Sequence, residues 1–178
     1  MKKWKKLYKE DLLRYGNSKP EKTLKLFLKY LRKCQNPSNR ISSFVNKVRF
    51  RRIKQKMHIE VYGRTQIGRG LYIGHPFGIT INSEAIIGNN CNIHKGVTIG
   101  GENRGNRKGS PIIGSEVWIG INSTIVGGIH IGDDVLIAPN SFVNCDVPPH
   151  SVVVGNPCSI HKKLNATEDY INNKVNFK

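Results

Sequence analysis

An aliphatic residue returns at every sixth position over much of this chain, and that spacing restricts the fold more than any other feature. An α-helix repeats after about 3.6 residues and a strand after two, so neither alone produces a period of six. A fixed short repeat is typical of a solenoid in which each block forms one strand and one corner. The blocks begin at Ile67, Ile73 and Ile79, then, after a two-residue slip, at Ile87, Ile93 and Ile99, and, after a long interruption, at Ile113, Ile119, Ile125, Ile131, Ile137 and Val143.

Three such blocks are predicted to close one coil of a triangular prism. The first residue of each block points inward and stacks on its equivalent in the next coil. Gly and Asn recur after these positions because tight corners need positive φ angles. The alternative is a β-sandwich of short strands, which does not account for so many block heads in phase. We therefore predict an all-β solenoid.

Positive charge is concentrated in the N-terminal third of the chain. The formal net charge is +17, and residues 1–56 hold 19 Lys and Arg against three acids, whereas the other 122 residues hold 10 against nine. Apolar spacing within residues 1–56 predicts short helices, one of them beginning near Pro20. The simpler interpretation is a solvated basic face on helices that pack against the solenoid or a neighbouring subunit; the sharper one is attachment to an anionic membrane surface or to a polyanionic acceptor. Nucleic acid is not expected, because no recognition motif is present.

We divide the chain into a basic α-helical segment (1–56), a repeat domain (57–160) and a C-terminal tail (161–178). The repeat is interrupted by a protruding loop, 101–111, which is polar and rich in glycine. Loops extending from a regular scaffold often carry function, although a neutral insertion is the alternative. The basic N-terminus is not followed by an apolar run, and no stretch is long enough to span a membrane, so we expect a cytoplasmic protein.

Two of the six histidines are candidates for chemistry. His75 follows a corner glycine and precedes a proline, and His94 comes directly after an inward-pointing isoleucine. A neutral imidazole is a natural general base near pH 7, although a single surface histidine is most often inert. Glu60 precedes His75 by less than one 18-residue coil, so its carboxylate could orient the His75 ring. No spacing of Cys or His suggests a metal site, so no metal is expected.

Five stretches of the sequence resemble the serine O-acetyltransferases, and they look closer still to relatives that O-acetylate sugars in capsule, exopolysaccharide and O-antigen clusters. These stretches are 59–68, 74–75, 96–101, 146–151 and 155–157. The resemblance covers residues 58–162, about 60% of the chain. It implies a left-handed parallel β-helix, a homotrimer with active sites between neighbouring prisms, and acetyl-CoA as co-substrate in the groove between them.

The resemblance also implies roles for individual residues. His75 matches the catalytic base, and Glu60 matches the aspartate that pairs with it, one methylene longer. His75 is expected to deprotonate an acceptor hydroxyl, which attacks the thioester directly, and backbone N–H groups near Gly100 and Gly101 are expected to stabilise the oxyanion. The expected cofactor contacts further include Gly120, Ala138 and Gly155 along the pantetheine arm and Lys162 and Lys163 at a CoA phosphate; the expected acceptor contacts are His94, Arg104, Arg107 and Ser110.

Two departures bear on the acceptor. Serine-specific members have Asp before the catalytic histidine and Arg-His-Pro at the end of the loop, whereas this chain has Gly74 and Gly109-Ser110-Pro111. A site for the zwitterion serine loses much when its charged partners are absent, because the charges of the substrate are then unpaired. We therefore expect a saccharide hydroxyl as acceptor. The alternatives are a serine O-acetyltransferase of cysteine biosynthesis and a non-catalytic β-helical binding or assembly module.

Overall fold

The computed structural model describes residues 2–176, so the ends of the predicted helical segment and tail, at Met1 and at 177–178, lie outside the described residues. Three helices come first: α1 (Lys3–Leu13), α2 (Lys22–Gln35) and α3 (Arg40–Lys56). The strands that follow are short: β1 (Gln66–Ile67), β2 (Tyr72–Gly74), β3 (Thr80–Ile81), β4 (Ile86–Ile87), β5 (Asn92–His94), β6 (Thr98–Gly100), β7 (Ile112–Ile113), β8 (Trp118–Ile119), β9 (Thr124–Val126), β10 (His130–Ile131), β11 (Val135–Ile137), β12 (Phe142–Val143), β13 (Ser151–Val154) and β14 (Ser159–Lys162).

The strands form the three faces of a left-handed parallel β-helix, as predicted. Face 1 contains β1, β4, β7 and β10, and face 3 contains β3, β6, β9 and β12. Face 2 contains β2, β5, β8, β11 and β13, and it ends with β14, which pairs antiparallel to β13. From β4 to β12, each strand therefore pairs with the strand three before it, which is the arrangement that a six-residue block predicts.

Aliphatic side chains fill the prism in vertical rows. On face 2, Ile73, Ile93 and Ile119 are in register, and all three are buried. On face 3, Ile81 is aligned with Ile99, so the predicted block head at Ile79 is wrong. Ile79 is also buried, two residues earlier, and belongs to the second inward row. Because strand alternation points both residues inward, the sequence could not distinguish them. The two extra residues lie instead in the corner after β2.

The N-terminal helices close the open end of the prism. A first coil has unpaired backbone groups, since no coil precedes it. The guanidinium of Arg32, on α2, donates to the carbonyl oxygens of Ile67 (2.7 Å) and Gly68 (2.6 Å), and Asp11, on α1, accepts from the N–H of Leu71 (2.9 Å). Asp11 and Arg32 form a two-bond ion pair at 2.7 Å, and both side chains are fully buried.

The C-terminal tail returns along the edge between faces 1 and 2. Asp134 accepts hydrogen bonds from the backbone N–H groups of Ala166 and Thr167, both at 3.0 Å. At the other end of the prism, the Asn90 side chain bonds both backbone groups of Val175. The tail therefore covers one of the three edges, from the last coil to the first.

We expect Arg32→Met to lower the free energy of unfolding by about 3–5 kcal/mol, because it leaves the Asp11 carboxylate buried without its cation and two carbonyl oxygens without donors. Urea denaturation followed by circular dichroism measures the loss. The matched control is Arg64→Met, which breaks an ion pair with Glu84 that is exposed on both sides; we expect about 0–1 kcal/mol there. Equal losses in the two variants would contradict the capping role.

Candidate active site

His75 lies in the corner between faces 2 and 3, directly after β2. The two extra residues widen this corner, and the His75 backbone adopts a left-handed conformation with φ of 52°. The same conformation recurs at other corners, for example at Asn90, Asn122 and Asn140, so it reflects the geometry of the corner. The ring of Phe77, in the same corner, lies 5.0 Å from that of His58. The corner thus exposes the His75 imidazole, and the contact between Phe77 and His58 packs the corner against the segment before the first coil.

Glu60 lies before the first strand of face 3. Its backbone N–H donates to the Ile79 carbonyl and its own carbonyl accepts from the Ile81 N–H, both at 2.7 Å. Its carboxylate accepts from the Tyr62 hydroxyl at 3.0 Å. Among residues 2–176, no hydrogen bond joins this carboxylate to His75 within one chain, so the predicted dyad stays a prediction. Glu60 also lines a groove of about 1520 Å³ between the helices and the first coil.

The predicted pantetheine contacts follow His75 along one edge of the prism. Gly120 donates its N–H to the Ile137 carbonyl and Ala138 to the Val153 carbonyl, both at 2.8 Å, which stacks these corners in register. Gly155 follows β13 at the same edge. With about 4.8 Å between adjacent strands, four coils separate His75 from Gly155 by about 19 Å. His94 and Lys95 occupy this edge in the coil after His75, and the small residues Gly120, Ala138 and Gly155 line the three coils beyond, where they leave space for an extended ligand.

The loop and the predicted oxyanion site lie at another edge, between faces 3 and 1. Gly100 ends β6, and Gly101 follows it, on the side of face 3 away from His75. The hydroxyl of Ser110 donates to the Asn82 side chain at 3.2 Å. Within one chain, therefore, these residues do not meet His75.

The loop folds back on its own edge. Glu102 and Gly109 exchange backbone hydrogen bonds of 2.8 and 2.9 Å, and the Gly128 N–H donates to the Arg107 carbonyl at 2.8 Å. Arg104 and Arg107 are exposed. The loop thus presents positive charge to solvent beside face 3.

Lys162 and Lys163 occupy neither of these edges. Lys162 pairs with Ser151 at the beginning of β13, and the Lys163 N–H donates to the His150 carbonyl at 2.8 Å. Both lysines are therefore separated from Gly155 by the width of face 2. A single chain does not place them on the path that ends at His75.

His94 is held rigidly on face 2, one coil beyond His75. Its Nδ1 lies 2.8 Å from the Ile119 carbonyl oxygen, an acceptor, so Nδ1 carries the proton and Nε2 has the lone pair. The Trp118 ring packs against it with centroids 4.6 Å apart. Burial lowers the pKa of His94, the nearby His75 lowers it further, and the bond to Ile119 opposes them. We infer a neutral imidazole with an acceptor nitrogen at pH 7.

The His94 ring fills the space beside Gly74. A Cβ atom on Gly74 would lie 2.5 Å from His94 Cδ2 and 2.8 Å from His94 Nε2, distances that real Cβ atoms do not adopt. The ring cannot yield without losing its bond to Ile119 and its contact with Trp118. Position 74 therefore accommodates only glycine as long as the His94 ring stays in its place against Ile119 and Trp118.

Sequence reasoning missed three residues near the candidate site: His58, Tyr62 and Trp118. His58 contacts the His75 corner, Tyr62 holds the Glu60 carboxylate, and Trp118 packs on His94. The six-residue register places Trp118 above Asn92 on the outer side of face 2, so that neighbour could have been found. The contacts of His58 and Tyr62 depend on the connection from α3 to the first coil, which has no repeat to define it.

The part of the chain that the structure describes contains no cluster of three or more His, Cys, Asp or Glu able to hold a metal ion. In the same residues, no helix is long and apolar enough to cross a lipid bilayer.

The repeat is similar to that of the hexapeptide transferases. The family model described as bacterial transferase hexapeptide (six repeats) matches residues 110–145. Curated relatives share the repeat region. The chain is 38% identical over 109 residues to serine acetyltransferase 2 of Arabidopsis thaliana and 39% identical over 97 residues to the serine acetyltransferase of Helicobacter pylori. These matches cover 61% and 54% of this chain, but only 34% and 57% of the two relatives.

Solved structures agree with this result. Soybean serine acetyltransferase without ligand superposes with a TM-score of 0.75 at 27% identity, over 89% of this chain and 69% of that one. The Neisseria gonorrhoeae serine acetyltransferase in complex with serine gives 0.70 at 27% identity, with the same coverage. The repeat region of the chain is thus similar in sequence, and the chain is similar in fold, to serine acetyltransferases. The expected closer resemblance to polysaccharide O-acetyltransferases is not supported by these relatives.

We expect Gly74→Ala to destabilise the protein by about 1–3 kcal/mol, because its methyl group overlaps the His94 ring. The loss should be smaller in a His94→Ala background, with a coupling energy above about 1 kcal/mol in a double-mutant cycle of urea denaturations. Gly100→Ala is the control, since a Cβ there meets nothing closer than 3.7 Å. Additive losses at positions 74 and 94 would show that the two residues are not in steric conflict.

Proposed function

We propose that the protein is an acetyl-CoA-dependent O-acetyltransferase with His75 as general base. The observation that carries this proposal is the row His75, Gly120, Ala138 and Gly155 along one edge of the prism. An exposed imidazole stands at one end of this edge, His94 and Lys95 occupy the next coil, and Gly120, Ala138 and Gly155 lie in the three coils beyond, with about 19 Å from His75 to Gly155. The pantetheine arm of acetyl-CoA, an extended chain, suits such a path, and the names of the homologous proteins support the same chemistry.

The proposed reaction is a direct transfer. The neutral His75 imidazole removes the proton of the acceptor hydroxyl as that oxygen attacks the thioester carbonyl carbon. The tetrahedral intermediate collapses, the carbon–sulfur bond breaks, and the imidazolium returns its proton to the departing thiolate. Glu60 would stabilise the imidazolium once its carboxylate exchanges the Tyr62 hydroxyl for the His75 ring.

We further propose that the working unit is a homotrimer whose sites form between copies. The tail covers the edge between faces 1 and 2. The other two edges hold His75 on one side of face 3 and Gly100, Gly101, Arg104, Arg107 and Ser110 on the other. In a closed ring, each subunit meets one neighbour through each of two edges. Such contacts would join the base of one subunit to the loop of the next.

Two acceptors are candidates. The relatives, which are named serine acetyltransferases, favour L-serine. A specific observation favours a saccharide hydroxyl instead. Beside His75, where a carboxylate would hold the serine ammonium group, the chain has Gly74 and the neutral ring of His94. A neutral acceptor nitrogen can accept a hydrogen bond from a hydroxyl, but it supplies no negative charge to balance the ammonium group of serine in a site that excludes water.

We expect the purified protein to release free CoA thiol from acetyl-CoA when an acceptor is present, and His75→Ala to lower the rate by about 10²–10⁴-fold. His161→Ala, an exposed histidine on β14, is the control and should retain the rate. An unchanged rate in His75→Ala would exclude His75 as the base. No turnover with any acceptor would favour a non-catalytic binding module.

The acceptor is identified by parallel assays with L-serine and with a panel of sugars and nucleotide sugars. Turnover with serine would show that Gly74 and His94 do not disable an amino-acid site. Turnover with a saccharide alone would support the neutral acceptor.

A further inference from the structure

Helix α3 carries an apolar stripe that faces away from the protein. Ile41, Phe44, Val45 and Val48 follow the i, i+3, i+4, i+7 spacing of one helix face, and all four are exposed, Ile41 by 81% and Phe44 by 70%. Phe50, on the opposite side of the helix, is buried against α2. In a soluble helix the apolar stripe normally faces the core. Here a second stripe is exposed among the described residues 2–176.

Basic residues border this stripe on both sides. At about 100° per residue, Arg40, Lys47 and Arg51 project to one side of it and Arg49 to the other. Arg52 lies near its axis, one turn beyond Val48. All five are exposed. Long basic side chains bordering an apolar stripe can lie along it and direct their charges outward to an interface.

The acidic residues of the segment 1–56 do not neutralise its positive charge. Residues 1–56 contain three acids, Glu10, Asp11 and Glu21. Glu10 and Asp11 are buried in ion pairs with Arg69 and Arg32. Within residues 2–56, Glu21 is therefore the one exposed acid. A surface with this balance attracts polyanions at long range.

An aromatic side chain extends the apolar stripe onto α1. Trp4 lines a groove of about 490 Å³ together with Ile41 and Val45. The ammonium of Lys33 lies 4.8 Å from the centre of its ring. Tryptophan beside basic residues is typical of the boundary between water and lipid headgroups.

We propose that Trp4 and the exposed face of α3, the docking face, bind an anionic membrane surface. The four aliphatic and aromatic side chains enter the boundary of the acyl chains, and the bordering Arg and Lys contact lipid phosphates. A second copy is a poor occupant, since an isologous contact would oppose the same arginines. Nucleic acid would satisfy the charges but leave the apolar stripe in water.

The test is sedimentation of the full-length protein with vesicles, without acetyl-CoA or acceptor, so that its outcome is independent of the proposed reaction. We expect binding to phosphatidylcholine vesicles that contain about 30% phosphatidylglycerol, and at least about tenfold weaker binding to pure phosphatidylcholine. Salt at about 0.5 M should weaken the binding by screening. Equal binding to both vesicles, or none to either, would overturn the proposal.

Two variants separate the contributions of the docking face. Phe44→Ser should weaken binding by about tenfold or more through lost apolar burial, and Arg49→Gln by about fivefold through lost charge. The matched controls are Leu164→Ser and Lys95→Gln, exposed residues of the same types elsewhere. Circular dichroism verifies the fold of each variant. Equal losses in variants and controls would contradict a specific docking face.

Two further measurements keep the inference testable if α3 variants fold poorly. In a Trp118→Phe background Trp4 is the one remaining tryptophan, and its fluorescence should shift to shorter wavelength on anionic vesicles. Analytical ultracentrifugation of Phe44→Ser should show an unchanged oligomeric state. A smaller oligomer would assign the stripe to a contact between copies and refute membrane docking.

Discussion

The structure depends on each coil supplying both hydrogen-bond partners and apolar contacts to the next. Ile73, Ile93 and Ile119 stack in register because their strands, which are only two or three residues long, pair with those of the adjacent coils. Such short strands have no stability of their own. The first coil lacks a coil before it, and the buried Asp11–Arg32 pair substitutes for that missing neighbour. The basic helical segment is therefore a structural part of the prism as well as a charged surface.

Much of the fold could be predicted because the repeat encodes geometry directly. The block heads Ile93, Ile119 and Ile137 are in register on face 2, as the repeat predicts, whereas the roles of Gly120, Ala138 and Gly155 come from the resemblance and stay predictions. The sequence predicts the two-residue slip after Ile79, whereas the structure has it before Ile81. The two positions could not be distinguished because Ile79 and Ile81 have the same chemistry and the same inward direction. Contacts outside the repeat were not predictable. Whether Glu60 meets His75 or Tyr62, and where Lys162 projects, depends on segments with no period to fix them.

The candidate site is divided between two edges of one prism. His75 and the row of small residues lie on one side of face 3, and the loop with its exposed arginines lies on the other. The tail, held by Asp134 and Asn90, covers the remaining edge. This distribution agrees with the proposed trimer, in which the open edges of neighbours face each other. The docking face of α3 belongs to the capped end of the prism, so lipid binding and acetyl transfer would use different surfaces.

The contact between Gly74 and His94 also limits how this site could change by single substitutions. Any side chain at position 74 collides with an imidazole that is held by Ile119 and Trp118. A carboxylate could enter at position 74 only after position 94 had become smaller, whereas the reverse order passes through an unstable intermediate. The order of substitutions therefore matters. A protein that has His94 can acquire a carboxylate beside His75 by changing position 94 first and position 74 second, but not in the reverse order.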